Sequence, residues 1–297
     1  MKVYRTKKKQ KEIIRTYNNL LSQWNVETEE MDINTEYGTT HIIACGKKEN
    51  PPLVLFHGVG DDAALMWIYN AKYLSQFYRI YAVDTIGGPG KSVPGAGYNK
   101  DFDDVLWIDE ILNKLSIENA FFAGVSHGGY LVQIYSLCRP DRVKKGISIS
   151  GALSVRREGE RVPAMIKIFL PEALFPTKKN VQKLIIKLCG ENAAVFMENS
   201  DIMEHYTYLL RGFNNMAMGY HKVRTFNAEE VNIIREKVEF LAGLEDPFEK
   251  LGGADVLRKN HMKVTFYENA GHGLNHERAD EINAKIVEIL NEKMYNG

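Results

Sequence analysis

Ser126 stands in "GVSHG", residues 124–128, with a glycine two positions away on either side. An apolar run ends there and an amphipathic pattern begins. A serine hydroxyl attacks a carbonyl only when a base takes its proton, and that base needs a partner to orient it. Candidates for both lie downstream. "VEFLAGLEDPF" ends an apolar run in Glu245-Asp246 just before Pro247, and "VTFYENAGHGLNH" sets His272 between Gly271 and Gly273. Hydroxyl, carboxylate and imidazole in this chain order could carry out acyl transfer through a covalent serine intermediate.

The flanking glycines have a steric reason. To push a hydroxyl out of the top of a sheet, the strand must reverse sharply at Ser126. Side chains two residues before and after would then strike the neighbouring strand and helix, so Gly124 and Gly128 are needed. The same turn aims the backbone N–H of His127, at a helix N-terminus, toward charge developing beside the serine. A second N–H is expected from Val59 in "LFHGVGDD", where small residues let backbone approach a substrate. His57 in that loop is expected to hydrogen-bond locally rather than perform chemistry.

Two positions have competitors. Glu245 could replace Asp246, but the residue immediately before the proline turn is better placed to look inward. His276 rivals His272, though it falls at an apparent helix start, where capping or surface exposure is the expected role. "VDTIGGPGKS" has the look of a phosphate-binding loop, but its spacing would need glycine where Thr85 stands, and Pro94 and two glycines interrupt the required helix. A tight surface loop, with Asp84 holding turn amides, is the better reading. No His/Cys cluster has metal-ligand spacing, and no fingerprint calls for a dinucleotide, so no cofactor is expected.

Elements that alternate must position these groups. Residues 5–24 read as an amphipathic helix, and "VETEEMDI" and "THIIACG" as antiparallel strands turning at Tyr37-Gly38. Then come the buried strand "PPLVLFHG", a helix over 63–77, the strand "RIYAVD", a Gly/Pro-rich loop, a helix over 100–115, the strand "NAFFAG", a helix over 127–137 and the strand "GISIS". Such alternation means a parallel sheet with helices on both faces. It stops between 152 and 226, a helix-like stretch broken by Pro163, Pro171 and Pro176. It resumes with the helix "AEEVNIIREK", the strand "VEFLAGL", a helix over 247–259, the strand "KVTFYENA" and a last helix over 277–294. The expected layout is a core of 1–151 and 227–297, with 1–26 as a helical extension and 152–226 as a helical cap.

Bulk properties fit. The 297 residues balance 38 Lys and Arg against 38 Asp and Glu, which removes the simplest argument for a nucleic-acid partner. Cys45, Cys138 and Cys189 are sparse and unpatterned, which suits a reducing compartment. The start carries basic residues but no apolar signal core, and no run reaches the roughly 18 apolar residues of a membrane span. A cytoplasmic protein is expected, with no fixed expectation for oligomeric state.

Taken together, "LFHGVG", "VDTIGGPGKS", "GVSHGG" and "LEDPF … AGHGLNHE" resemble the α/β-hydrolase superfamily, a resemblance that covers the chain from about residue 27. It implies an eight-stranded, mostly parallel sheet, a variable cap inserted after Ser150, and an oxyanion hole from the Val59 and His127 amides. Ser126 excludes the branch that cleaves carbon–halogen bonds through an aspartate. The N-terminal helix departs from many members and is read as packing on the body.

The function expected is ester hydrolysis on small-molecule substrates through Ser126, Asp246 and His272, without cofactor. Two alternatives stand beside it: the same triad acting on a carbon–carbon bond, thioester, lactone or amide, and a ligand-binding homologue that has lost catalysis. Phe169, Phe175, Phe196, Met203, Tyr206, Phe213, Met216 and Met218 are candidates to line an apolar acyl pocket, or to be ordinary core between helices.

Overall fold

In a computed structural model of the chain, residues 2–155, 166–170, 172, 174–248 and 251–291 are described. Nine strands form one sheet in the order β1-β2-β4-β3-β6-β7-β8-β9, with β5 pairing β2 off this path. The strands are β1 Thr28–Thr35, β2 Gly38–Cys45, β3 Pro52–Phe56, β4 Arg79–Val83, β5 Val93–Pro94, β6 Ala120–Val125, β7 Val143–Ile149, β8 Val238–Gly243 and β9 Val264–Tyr267. β2 pairs antiparallel with β1, β4 and β5, and the pairings along β4-β3-β6-β7-β8-β9 are all parallel.

The ninth strand is the addition to the eight expected. Gly38 opens β2 at φ 131°, and a side chain there would collide with the Val93 carbonyl. Its absence lets the Gly/Pro-rich loop fold back as the two-residue β5.

Helices cover both faces, and two apolar clusters form the core on either side of the sheet. The helices are α1 Lys7–Leu21, α2 Ala63–Met66, α3 Ala71–Leu74, α4 Asp104–Lys114, α5 His127–Cys138, α6 Lys178–Cys189, α7 Ala194–Met197, α8 Ser200–Gly212, α9 Ala228–Lys237, α10 Ala254–Lys259, α11 Leu274–Glu277 and α12 Ala279–Asn291.

Three helices depart from the periodic reading. The helix expected over 63–77 is two single turns, because Asn70 commits its amide to the Asn275 carbonyl at 3.1 Å and to Asn283 Oδ1 at 2.8 Å. The helix expected from Pro247 begins at Ala254, after Gly252 adopts φ 122° against the Leu153 backbone; residues 249 and 250 lie outside the described residues. The last helix breaks at Arg278 and is followed to Asn291.

Between β7 and α9 the described residues form helices and no strand, with α6 and α8 the longest. α1 packs against α8. Thr16 Oγ1 meets His205 Nδ1 at 2.7 Å, Arg15 pairs with Glu204 at 2.6 Å, and Gln23 bonds Asp201 at 2.7 Å. The far nitrogen of His205 meets Asp62 Oδ2 at 2.7 Å, both side chains being fully buried. Burial pushes the Asp62 carboxyl upward, but His205 and the Leu65 N–H prevail and hold it below its ordinary value.

Candidate active site

Parallel pairing brings the C-terminal ends of β3, β6, β7, β8 and β9 to one edge, and the ends of β3, β6, β8 and β9 deliver the candidate residues. Open α/β sheets build their sites at this edge.

β6 ends at Val125 and Ser126 follows with φ 57° and ψ −115°, a left-handed conformation that strains any residue except glycine. Its N–H donates to the Ile149 carbonyl at 2.9 Å, and α5 starts at once with His127. A side chain at Gly124 would enter the Gly128 carbonyl, and one at Gly128 would enter the Phe56 carbonyl. The steric reason expected for both glycines is therefore met in the fold.

β3 leads into His57-Gly58-Val59. A Cβ at Gly58 would lie 3.3 Å from Ser126 Cβ, so this backbone passes directly beside the serine, and Val59 lines the same cavity. His57 is internal to the loop, as expected. Its Nε2 accepts the Thr85 N–H at 2.8 Å, so Nδ1 carries the proton and donates to the Gly58 carbonyl at 2.8 Å. Burial pushes His57 down to about 4, which keeps the ring neutral. Asp84 holds turn amides as expected: Ala63 N–H donates to it at 3.0 Å and Lys91 N–H at 2.7 Å. Burial raises this carboxyl to about 6.

β8 and β9 supply the other pair. His272 Nδ1–H donates to Asp246 Oδ2 at 2.8 Å, while Asp246 Oδ1 accepts the Phe248 N–H at 2.8 Å. The carboxylate is thus fixed on both oxygens, and Nε2 of His272 is left to exchange a proton. Glu245 points to solvent; its backbone N–H donates to the Ala270 carbonyl at 2.9 Å and ties the two loops together. The Phe248 ring lies 4.3 Å from the His272 ring, centre to centre.

His272 is also held from α6. Its N–H donates to the Leu188 carbonyl at 2.7 Å, and a Cβ at Gly271 would collide with that carbonyl. Glu277 Oε2 accepts the Gly271 N–H at 2.8 Å and an Asn192 amide hydrogen at 3.1 Å.

His276 corrects its expectation. It is buried rather than surface-exposed, its Nε2 donates to the Leu65 carbonyl at 3.0 Å, and burial pushes it down to about 4. His276 is among the residues that line the cavity, but its Nε2 is committed to the α2 backbone and its ring is not bonded to Asp246.

Ser126, Asp246, His272, Val59 and His127 all line one cavity of about 650 Å³. Of the eight pocket candidates, Phe169, Phe196, Tyr206 and Phe213 line it. Phe175 and Met216 are exposed, and Met203 and Met218 are buried elsewhere. Much of the remaining wall is leucine, including Leu184 and Leu188 of α6 and Leu209 of α8. Their helical spacing was the available signal, and an aromatic-and-methionine search passes over it. Among the described residues no group of three His, Cys, Asp or Glu could hold a metal ion, and no helix is long and apolar enough to cross a membrane.

A family model described as alpha/beta hydrolase fold matches residues 51–178. Carboxylesterase YbfK of Bacillus subtilis (strain 168) is 39% identical over 136 residues, a match spanning 46% of this chain and 46% of that protein. The uncharacterized carboxylesterase nap of the same organism is 28% identical over 296 residues, covering 93% of this chain and 91% of that one. The crystal structure of naproxen esterase (carboxylesterase NP) from Bacillus subtilis superposes with a TM-score of 0.80 at 25% identity, over 94% of this chain and 97% of its own.

Proposed function

This chain belongs to the α/β-hydrolase superfamily, and we propose from that premise that it is a serine carboxylesterase acting on small-molecule esters. His272 Nε2 takes the Ser126 proton as Oγ attacks the acyl carbonyl. The Val59 and His127 amides hold the oxyanion, each worth on the order of 3 kcal/mol in the barrier. His272 then gives its proton to the departing alcohol, and the acyl group stays on Ser126. Water enters, yields a proton to the same nitrogen, and attacks the acyl carbon. The acid leaves and Ser126 recovers its proton. Asp246 fixes the imidazole tautomer and stabilises its charged form without taking the proton.

The observation that carries this reading is the 2.8 Å bond from His272 Nδ1–H to Asp246, in the cavity that the strained Ser126 also lines. A cavity of about 650 Å³ is of the size that takes a drug-sized molecule. Carboxylesterase relatives across more than nine-tenths of the chain support the reaction class. We read residues 152–226 as a cap over the acyl pocket, and three free cysteines support a reducing, cytoplasmic location.

Short-chain p-nitrophenyl esters test the proposal. Turnover by the native chain, its loss in Ser126→Ala, and labelling of Ser126 by a fluorophosphonate are expected. Turnover that persists in Ser126→Ala, or a serine that resists the probe, would sink it.

A further inference from the structure

His272 sits between two glycines, and packing explains both. A Cβ at Gly271 would meet the Leu188 carbonyl, and one at Gly273 would meet the Phe196 ring and Cys189 Sγ. The consequence is a turn with little stiffness of its own, since glycine restricts the backbone least. Asn269 enters that turn at a left-handed φ of 51°. The direction of the imidazole must therefore come from bonds that reach the turn from outside. Two of these are between backbones: the Leu188 carbonyl accepts the His272 N–H at 2.7 Å, and the Glu245 N–H donates to the Ala270 carbonyl at 2.9 Å.

One residue grips the turn on both sides of His272. Glu277 closes α11, and its Oε2 accepts the Gly271 N–H at 2.8 Å while its own N–H donates to the Gly273 carbonyl at 2.9 Å. The side chain thus holds the glycine before the imidazole and the backbone holds the glycine after it. The same Oε2 accepts a hydrogen of the Asn192 amide at 3.1 Å, and that amide also donates to the Asn269 carbonyl. An asparagine amide has two hydrogens, so both are used, one on the carboxylate and one on the start of the turn. Asn192 lies in the short turn Gly190–Ala193 that joins α6 to α7.

Resting on the esterase reading above, we propose that Glu277 is a positioning residue of the reaction. With Asn192 it clips the 269–273 turn, so that His272 Nδ1–H stays on Asp246 and Nε2 stays free for the Ser126 proton. Glu277 acts through the backbone of the turn and neither gives nor takes a proton. A residue that only tied α11 to the body would, when removed, lower stability and leave the turnover of folded molecules unchanged. A positioning residue lowers kcat, because a proton carrier displaced by an ångström no longer meets its partner.

Hydrolysis of p-nitrophenyl butyrate by the native chain, Glu277→Ala, Glu277→Gln and Asn192→Ala tests this, with urea unfolding run beside it to correct for the folded fraction. Glu277→Ala should lower kcat roughly 10- to 100-fold with KM within about twofold. Glutamine keeps an oxygen that accepts both N–H groups, so Glu277→Gln should recover kcat to within about threefold of native. Asn192→Ala, which loosens the clip without removing it, should lower kcat about fivefold at unchanged KM. A folded Glu277→Ala with native kcat overturns the proposal, as does a Glu277→Gln as slow as Glu277→Ala. If Glu277→Ala does not fold, the other two decide: near-native Glu277→Gln with slowed Asn192→Ala supports the clip, and any other pattern overturns it. In all these outcomes the native chain still turns over the ester. If it does not, the esterase reading itself falls and the clip with it.

Discussion

Asp246 shows how much one atom type decides. An amide at this position could still accept the Phe248 N–H through its oxygen, but its NH2 would face His272 Nδ1. That forces the proton onto Nε2, where it blocks the acceptance of the Ser126 hydrogen. Asp246→Asn should therefore lower kcat on the order of 10⁴-fold with little change in urea midpoint. Glu245→Gln, on the exposed neighbour, should leave kcat within about twofold. Ser126 makes the opposite demonstration. Its φ of 57° is strained, so Ser126→Gly should raise stability by about 1 kcal/mol while abolishing turnover, as thermal melts and ester assays would report. A variant no more stable than the native chain would mean that the turn carries no strain.

At the scale of elements, the buried pair His205 and Asp62 joins three segments that are distant in sequence. α1 reaches it through Thr16, α8 supplies the imidazole, and Asp62 caps α2 by accepting the Leu65 N–H at 3.0 Å. Removing the imidazole strands a fully buried carboxylate, so His205→Ala should cost about 3–5 kcal/mol in denaturant unfolding. A loss under about 1 kcal/mol would show that water replaces the ring.

This junction also marks the limit of what sequence could tell. That Ser126, Asp246 and His272 line one cavity was legible because each closes an apolar run beside glycine or proline, and sheet topology then gathers strand ends. α9 was legible to the residue, since Asn227 and Glu230 form a capping box around "AEEVNIIREK". Thr16, Asp62 and His205 carry no such mark. Nothing in their neighbourhoods distinguishes them from ordinary helix and loop residues until α1 is laid on α8. The break at Asn70 was hidden for the same reason, since its partners lie more than 200 residues away. The interior placement of His276 depends likewise on the α2 carbonyl it meets.

For the whole molecule, buried histidines set the response to acid. His57 and His276 are both held at about 4 in the fold against an ordinary 6.5. Between these values the unfolded chain takes up protons that the folded chain refuses, so stability falls as pH drops through the window, by about 1.4 kcal/mol per pH unit for each group. Asp84 acts in the opposite sense. Its folded value of about 6 lies above the ordinary 3.8, so over that range the fold gains from its proton as pH falls. The steepest loss should thus lie near pH 6 to 5.5, where the unfolded histidines are mostly charged and Asp84 has begun to offset one of them. Urea unfolding at pH 7.5 and 5.5 should differ by roughly 2 kcal/mol, less stable in acid. Equal stability at the two pH values would mean that the histidines are solvated in the fold.

The Leu188 carbonyl that receives the His272 N–H has a consequence for engineering and for divergence alike. If α6 is replaced to change which acids are released, the graft would also remove one anchor of His272, the proposed proton carrier. Selectivity and turnover rate are coupled through a single peptide bond, so chimeras that retain the α6 C-terminus should keep their speed, and those that replace it should lose speed even on esters that fit.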